Sequence, residues 1–352
     1  MYTVTGNSIN ELYKSGMDLL AALGETESSR NGDVIVIPAP VVTEWHSPDK
    51  RVLLNMMRNC NHAFHINEAI WMFKGEKYAV PLDLFIHDFS SRYAEPSGMM
   101  HGAYGDRWRN HFVMDQIEEI IDILHVNPTS RQAVMGMWDP QTDLVAKVKD
   151  KPCNTHLYFR DREGVLDMTV CNRSNDIIWG LYGANAVHFS ILHEYITSML
   201  GLQLGTMYTI SNNFHAYKPI FEKLHKSAVT EYEYAPSIPL INETPGLFMQ
   251  DVVAWDYGIT HKGFKTRWFN EVAIPVTKAF LHKKWKNYPE MDSWLHQIQD
   301  ENWFIGMRNW CHQQEISDER QGKMGLQGND SSVRSGNSSD TNDIQLVNNP
   351  PR

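Results

Sequence analysis

The residues best suited to chemistry lie between Pro152 and Asn185. Cys153 supplies a thiol, Arg173, Ser174 and Asp176 follow across a short hairpin, and Asn185 comes soon after. A thiol attacks only as thiolate, and a neighbouring guanidinium favours that form by lowering the cysteine pKa. A guanidinium with a hydroxyl suits an anion, and an amide offers both a donor and an acceptor to the edge of a ring. On residue type alone, a single cysteine at the mouth of a strand is more often a small buried apolar group.

Local elements must bring these groups together. Thr155 to Phe159 and Val165 to Cys171 read as strands joined by a turn at Asp161-Arg162-Glu163-Gly164. In an antiparallel pair the open ends are neighbours, so Cys153 and Arg173 are expected side by side. Asn185 opens a helix that is apolar nearly all round and stops at Gly201, the pattern of a buried central helix. His188 and His193 within it read as structural. His193-Glu194 begins a zinc-protease pattern, but Tyr195, Ile196 and Thr197 supply no second histidine, so no zinc site is expected. Met207 to Ile210 reads as a strand with Asn212, Asn213, His215 and Tyr217 at its end.

Upstream, Ser8 to Glu11 has capping-box spacing and leads a helix that runs to Gly24. Arg30 sits in a turn before the strand Val34 to Ile37, and Arg131 precedes the strand Ala133 to Trp138. Singly they read as solvated loop charges; together they would suit one anion. Glu68 is the only carboxylate in the helical run His65 to Phe73. An exposed position is as good a reading, but a carboxyl buried among Ile66, Ile70, Trp71 and Phe73 would have a raised pKa and could move a proton. Tyr104 to Arg109 reads as a polar turn with aromatics, Arg107 and Arg109 being surface or salt-bridge residues. Val113, Ile117, Ile120, Ile121 and Leu124 mark an amphipathic helix stopped by Asn127-Pro128.

From Pro245 to about Gln314, short helices carry six tryptophans, Trp255, Trp268, Trp285, Trp294, Trp303 and Trp310, which read as core-covering packing rather than an aromatic lid. Beyond Ser317 the chain turns to Ser, Asn, Asp and Gly, too polar to bury a core. The expected organisation is one catalytic domain over 1–316 and a disordered tail over 317–352. A net charge of −10 over 352 residues argues against coating nucleic acid, which needs a broad basic face. Cys60, Cys153, Cys171 and Cys311 form no CxxC pair, no run approaches the roughly 20 apolar residues of a membrane helix, and the N-terminus lacks a signal-peptide pattern. A cytoplasmic protein without membrane or nucleic-acid partners is expected.

In order, Glu68 with Trp71, Tyr104-Gly105 with Trp108-Arg109, Asn127-Pro128 with Ser130-Arg131, Pro152-Cys153, Asn172-Arg173-Ser174 with Asp176, Asn185, and His215 with Tyr217 resemble the thymidylate synthase superfamily. The likeness, over about Arg30 to Lys218, is greatest to the phage branch that hydroxymethylates deoxyuridylate. Each motif alone is weak; seven in the same order are specific. The resemblance implies an α/β (α+β) fold with a large mixed sheet flanked by helices, and a homodimer. It implies that Cys153 attacks C6 of the pyrimidine, making C5 nucleophilic toward the methylene of 5,10-methylenetetrahydrofolate, with Glu68 as acid and base and Tyr104 ordering water and proton movement. Arg30, Arg173 and Ser174 would hold the 5′-phosphate, with Arg131 reaching in from the partner subunit. His215 and Tyr217 would meet the deoxyribose 3′-hydroxyl, Asp176 the folate pterin, and Asn185 the base. An amide pairs with O4 and N3–H of uracil, whereas cytosine suits a carboxylate better.

Three departures from the synthase pattern stand out: Asn154 replaces the usual histidine after the cysteine, Gln132 replaces a second arginine, and the chain past Tyr217 diverges. The stretch Gly180 to Asn185 is also one residue longer. All these enzymes pass through an exocyclic methylene at C5, which hydride converts to methyl and water to hydroxymethyl. The polarity of Asn154 beside the nucleophile and a different closure over the folate are expected to favour water, giving 5-hydroxymethyl-deoxyuridylate for a modified phage DNA base. Thymidylate synthesis, deoxycytidylate hydroxymethylation and a non-catalytic nucleotide-binding protein are the alternatives.

Overall fold

The computed structural model describes residues 1–313 except 149, 229–231, 243 and 261–262. The tail read from Ser317, and the domain boundary before it, lie outside the described residues. Among the described residues, ten strands follow in chain order: β1 (Tyr2–Gly6), β2 (Glu25–Ser29), β3 (Gly32–Val36), β4 (Val41–Trp45), β5 (Val134–Gly136), β6 (Asn154–Arg162), β7 (Val165–Asn172), β8 (Asn175–Asp176), β9 (Gln203–Ser211) and β10 (Phe214–Tyr217). Six form a large sheet in the order β1-β4-β9-β7-β6-β5, and four a smaller one in the order β2-β3-β10-β8. The large sheet is mixed, since β1 with β4 and β7 with β9 are parallel while its other pairs are antiparallel.

The β6–β7 hairpin closes through Glu163 and Gly164, both at positive φ (57° and 93°), as a two-residue turn matched to strand twist requires. Along β6, Leu157 and Phe159 are buried while His156 and Tyr158 are exposed, so one sheet face packs on the helices and the other stays open. Asn185–Leu200 is the central helix, buried along most of its length and capped by Gly201 at φ 66°. It packs on the Glu68 helix, His62–Phe73. No helix among the described residues is long and apolar enough to cross a membrane.

One helix begins later than its apolar spacing suggests. Val113 is 96% exposed and lies outside Gln116–Val126, because Asp115 caps that helix by accepting from the N–H groups of Ile117 and Glu118. The cap outweighs the hydrophobic period at that end. Four of the six tryptophans, Trp255, Trp268, Trp303 and Trp310, are buried in the core. Trp255 donates to Asn67 Oδ1 at 2.9 Å on the Glu68 helix, and none of the six lines the cavity described below. The four buried ones pack as expected of core-covering residues, whereas Trp285 is 59% exposed.

Candidate active site

A cavity of about 350 Å³ opens between the Glu68 helix, the Tyr104 helix (Tyr104–Arg109) and the start of the central helix. Cys153, Glu68, Tyr104 and Asn185 all line it. The Tyr104 helix packs closely on the Glu68 helix because the residue after Tyr104 is glycine: a Cβ at Gly105 would lie 2.3 Å from the carbonyl oxygen of Met72. No other residue permits that contact.

Cys153 is placed by the hairpin as expected. The Arg173 N–H donates to the Cys153 carbonyl at 2.9 Å, and the Arg173 guanidinium donates to the carbonyls of Pro152 (2.9 Å) and Lys151 (3.0 Å). Arg173 thus clamps the backbone carrying the thiol. Its electrostatic effect is smaller than expected: burial pushes the Cys153 thiol above its ordinary pKa, Asp150 and Asp176 add to the rise, and Arg173 and Arg30 only oppose it. The expectation of a lowered cysteine pKa is therefore corrected, because desolvation outweighs the guanidiniums.

Asn154 is corrected as well. It is fully buried, donates from Nδ2 to the Cys171 carbonyl at 2.9 Å and does not line the cavity. A bulge at β6 between Asn154 and His156 breaks the strand alternation there. Its amide ties the strand mouth to β7, while its backbone N–H donates to Tyr104 Oη at 3.2 Å. The Nδ2 of Asn154 is thus turned toward β7, and its Oδ1 is buried without a partner among the described residues. Burial and the neighbouring Cys153 push the Tyr104 phenol up, so it remains a protonated hydroxyl.

The stretch before Asn185 departs locally from regular helix. Ile177–Ala184 forms wide π-type turns with Gly183 off helical geometry (φ −111°, ψ −115°), and Asn185 still reaches the cavity. A π turn accommodates one inserted residue without displacing the helix that follows. Asp176 caps this segment: Oδ1 accepts from Ile178 (2.7 Å) and Trp179 (3.2 Å), and Oδ2 is buried without a partner among the described residues. Burial raises its carboxyl pKa.

The remaining expected residues lie outside the cavity wall. His215 pairs with Asp176 across β10 and β8, and its ring sits 5.9 Å from that of Tyr217. Asn31, beside Arg30 in the β2–β3 turn, donates to Tyr217 Oη at 3.3 Å, which brings the exposed Arg30 turn to the same sheet. Ser174 Oγ donates to Asn213 Oδ1 at 3.4 Å. Arg131 is exposed at the large-sheet edge, and the β strand after it, β5, is the last in that sheet.

Three cavity residues were not identified from the sequence. His188, read as structural, is buried with Nε2 3.2 Å from Glu68 Oε2. Its position three residues after Asn185 puts it on the same helix face, a signal present in the spacing. Arg58 is buried, donates to the Ile178 carbonyl at 3.0 Å and lies 4.3 Å over the Trp179 ring. Asp150 lines the cavity three residues before Cys153. His193 is structural as read, donating to the Leu166 carbonyl at 2.7 Å. Arg107 is fully buried in a bidentate pair with Asp143 at 2.8 Å, so of its two readings the salt bridge holds. No metal-binding group of His, Cys, Asp or Glu occurs among the described residues.

A thiol, a carboxylate, a phenol and an amide facing one cavity define an enzyme site for covalent and acid–base chemistry on a small polar molecule. The profile of the thymidylate synthase family matches residues 11–265, past the Lys218 limit of the motif reading, and the chain belongs to that family. It is 38% identical over 301 residues to a deoxyuridylate hydroxymethyltransferase of Pseudomonas phage M6, spanning 81% of this chain and 85% of that one. A protein of the same name from Bacillus phage SP01 is 30% identical over 231 residues, 62% of this chain and 59% of that one. The crystal structure of thymidylate synthase from T4 phage superposes with a TM-score of 0.53 at 23% identity, over 63% of this chain and 81% of that one, and shares the fold.

Proposed function

We propose that this enzyme transfers a one-carbon unit from 5,10-methylenetetrahydrofolate to C5 of deoxyuridylate, with water completing the reaction to 5-hydroxymethyl-deoxyuridylate and tetrahydrofolate. The observation that carries the reading is the convergence of Cys153, Glu68, Tyr104 and Asn185 on one cavity. The names of the two phage relatives favour the hydroxymethyl product. In this reading Cys153 adds to C6, Asn185 holds the uracil edge, and Glu68, against His188, moves protons at the ring. Arg30, Arg173 and Ser174 hold the phosphate, joined by Arg131 from a second subunit docked on the open sheet face. His215 and Tyr217 hold the sugar hydroxyl, and Asp176 meets the pterin with the oxygen its capping role leaves free.

The product is a precursor suited to a modified phage DNA base. An assay of the purified enzyme with deoxyuridylate and methylenetetrahydrofolate is expected to give hydroxymethyl nucleotide and tetrahydrofolate. Thymidylate and dihydrofolate as sole products would sink the hydroxymethyl reading. Preference for deoxycytidylate in direct competition would overturn the choice of base, and tight nucleotide binding without turnover would leave only a binding protein.

A further inference from the structure

With Asn154 turned into the strand, another polar group must handle water beside Cys153 if water finishes the reaction. A second cavity of about 670 Å³ adjoins the first and shares two wall residues with it, Tyr93 and Asp150. Its lining includes His101, Glu95 and Lys147, a polar set that favours water. Asp150 is fixed between the two spaces, because Oδ2 accepts from the Gly102 N–H at 3.0 Å. Gly102 makes that contact possible: a Cβ there would lie 2.8 Å from Pro152 N and 3.1 Å from Asp150 Oδ2. The same backbone segment continues to Cys153, so the carboxylate and the thiol are held by one short run of chain.

Resting on the hydroxymethyl reading, we infer that Asp150 is the general base for the water that completes the reaction, and that the second cavity supplies this water. Asp150 takes one proton from water as the oxygen forms a C–O bond to the exocyclic methylene carbon. The C5–methylene π electrons move onto the C4–O4 enolate. The enolate then re-forms C5=C6 and expels the Cys153 thiolate, and the proton on Asp150 passes to that thiolate or to solvent. No oxidant or reductant is needed. Burial raises the Asp150 carboxyl above its ordinary pKa, with Glu68 adding to the rise and the Gly102 N–H, His101 and Arg107 opposing it. A raised carboxyl is a better base near neutrality than an exposed one.

The test compares the wild type with Asp150→Asn, which keeps an acceptor for Gly102 but loses the base. In a single turnover with C5-tritiated deoxyuridylate and methylenetetrahydrofolate, tritium release reports formation of the methylene, and hydroxymethyl nucleotide reports water addition. The variant is expected to release tritium at a rate within about twofold of wild type while hydroxymethyl formation falls by about 10². Added 2-mercaptoethanol should then capture the methylene as a C5 thioether. Unchanged hydroxymethyl formation, or an equal fall in both signals, overturns the role. If the variant does not bind nucleotide, the wild type decides in heavy water: slowing of hydroxymethyl formation alone supports the base, and equal slowing of both signals overturns it. Failure of the hydroxymethyl reading shows separately, as thymidylate from the wild type before any variant is made.

Discussion

The floor of the cavity and the exposed arginine turns outside its wall, the rim of the proposed site, are built in different ways. On the floor, Cys153 is clamped through backbone carbonyls by Arg173, Asn154 is tied to β7 and to Tyr104, and Asn185 is carried by the buried central helix. Arg30 and Arg131 on the rim stand in exposed turns. The difference separates two tasks. Groups that touch reacting atoms must be positioned before the substrate arrives, because misplacement costs rate directly. Groups that neutralise a phosphate can complete their geometry on binding, since charge–charge attraction tolerates a wider range of positions.

The strongest test of the floor is Cys153→Ala. Turnover should fall by at least about 10⁴, as removal of a nucleophile does in enzymes that use covalent intermediates. Calorimetric titration with deoxyuridylate should still show binding, since the rim is intact. Residual turnover near wild type would remove the thiol from the chemistry. A smaller effect is expected from Asn185→Asp. A carboxylate accepts from the cytosine amino group but not from uracil O4, so the ratio of kcat/KM for deoxycytidylate over deoxyuridylate should rise by about 10². An unchanged ratio would mean that the base lies elsewhere in the cavity.

The rim is tested by complementation. Arg131→Ala and Cys153→Ala should each be inactive alone, yet mixed dimers should regain activity if Arg131 completes the neighbouring site. Random exchange restores both groups in roughly a quarter of sites, which sets the ceiling of recovery. No recovery after verified subunit exchange would confine Arg131 to its own chain.

The same contrast explains what was legible in the sequence. Cys153 and Arg173 could be placed together because a two-residue hairpin fixes its own register, and the Arg173 N–H does reach the Cys153 carbonyl. Asn185 was legible as the start of an apolar helix. Asn154 was misread because a bulge redirected it, and bulges leave little mark in composition. The Cys153 pKa was misread because guanidinium proximity follows from local order, whereas desolvation depends on helices distant in the chain. Asp150 and Arg58 became visible only when residues far apart in sequence closed the cavity around them.

If the floor is built by core packing, its scaffold should weaken in acid with or without nucleotide. His193 tests this with the smallest expected effect. Its Nε2–H donates to the Leu166 carbonyl, and burial depresses its pKa to about 4 while Nδ1 is left without a partner among the described residues. The unfolded chain, with a histidine near its ordinary value of about 6.5, binds the extra proton first. The stabilising contribution is therefore complete above about pH 6.5 and is lost as pH falls toward 4. At pH 5, relative to pH 7, that loss is about 2 kcal/mol. Asp150, Asp176 and Asp300 act in the opposite sense, because folding raises their pKa values. A His193→Gln variant keeps a donor for Leu166 and leaves those carboxyls in place. Denaturant unfolding at pH 7 and pH 5 should then show a pH-dependent loss smaller than wild type by about 2 kcal/mol. Equal losses in the two proteins would mean that folding does not depress the His193 pKa.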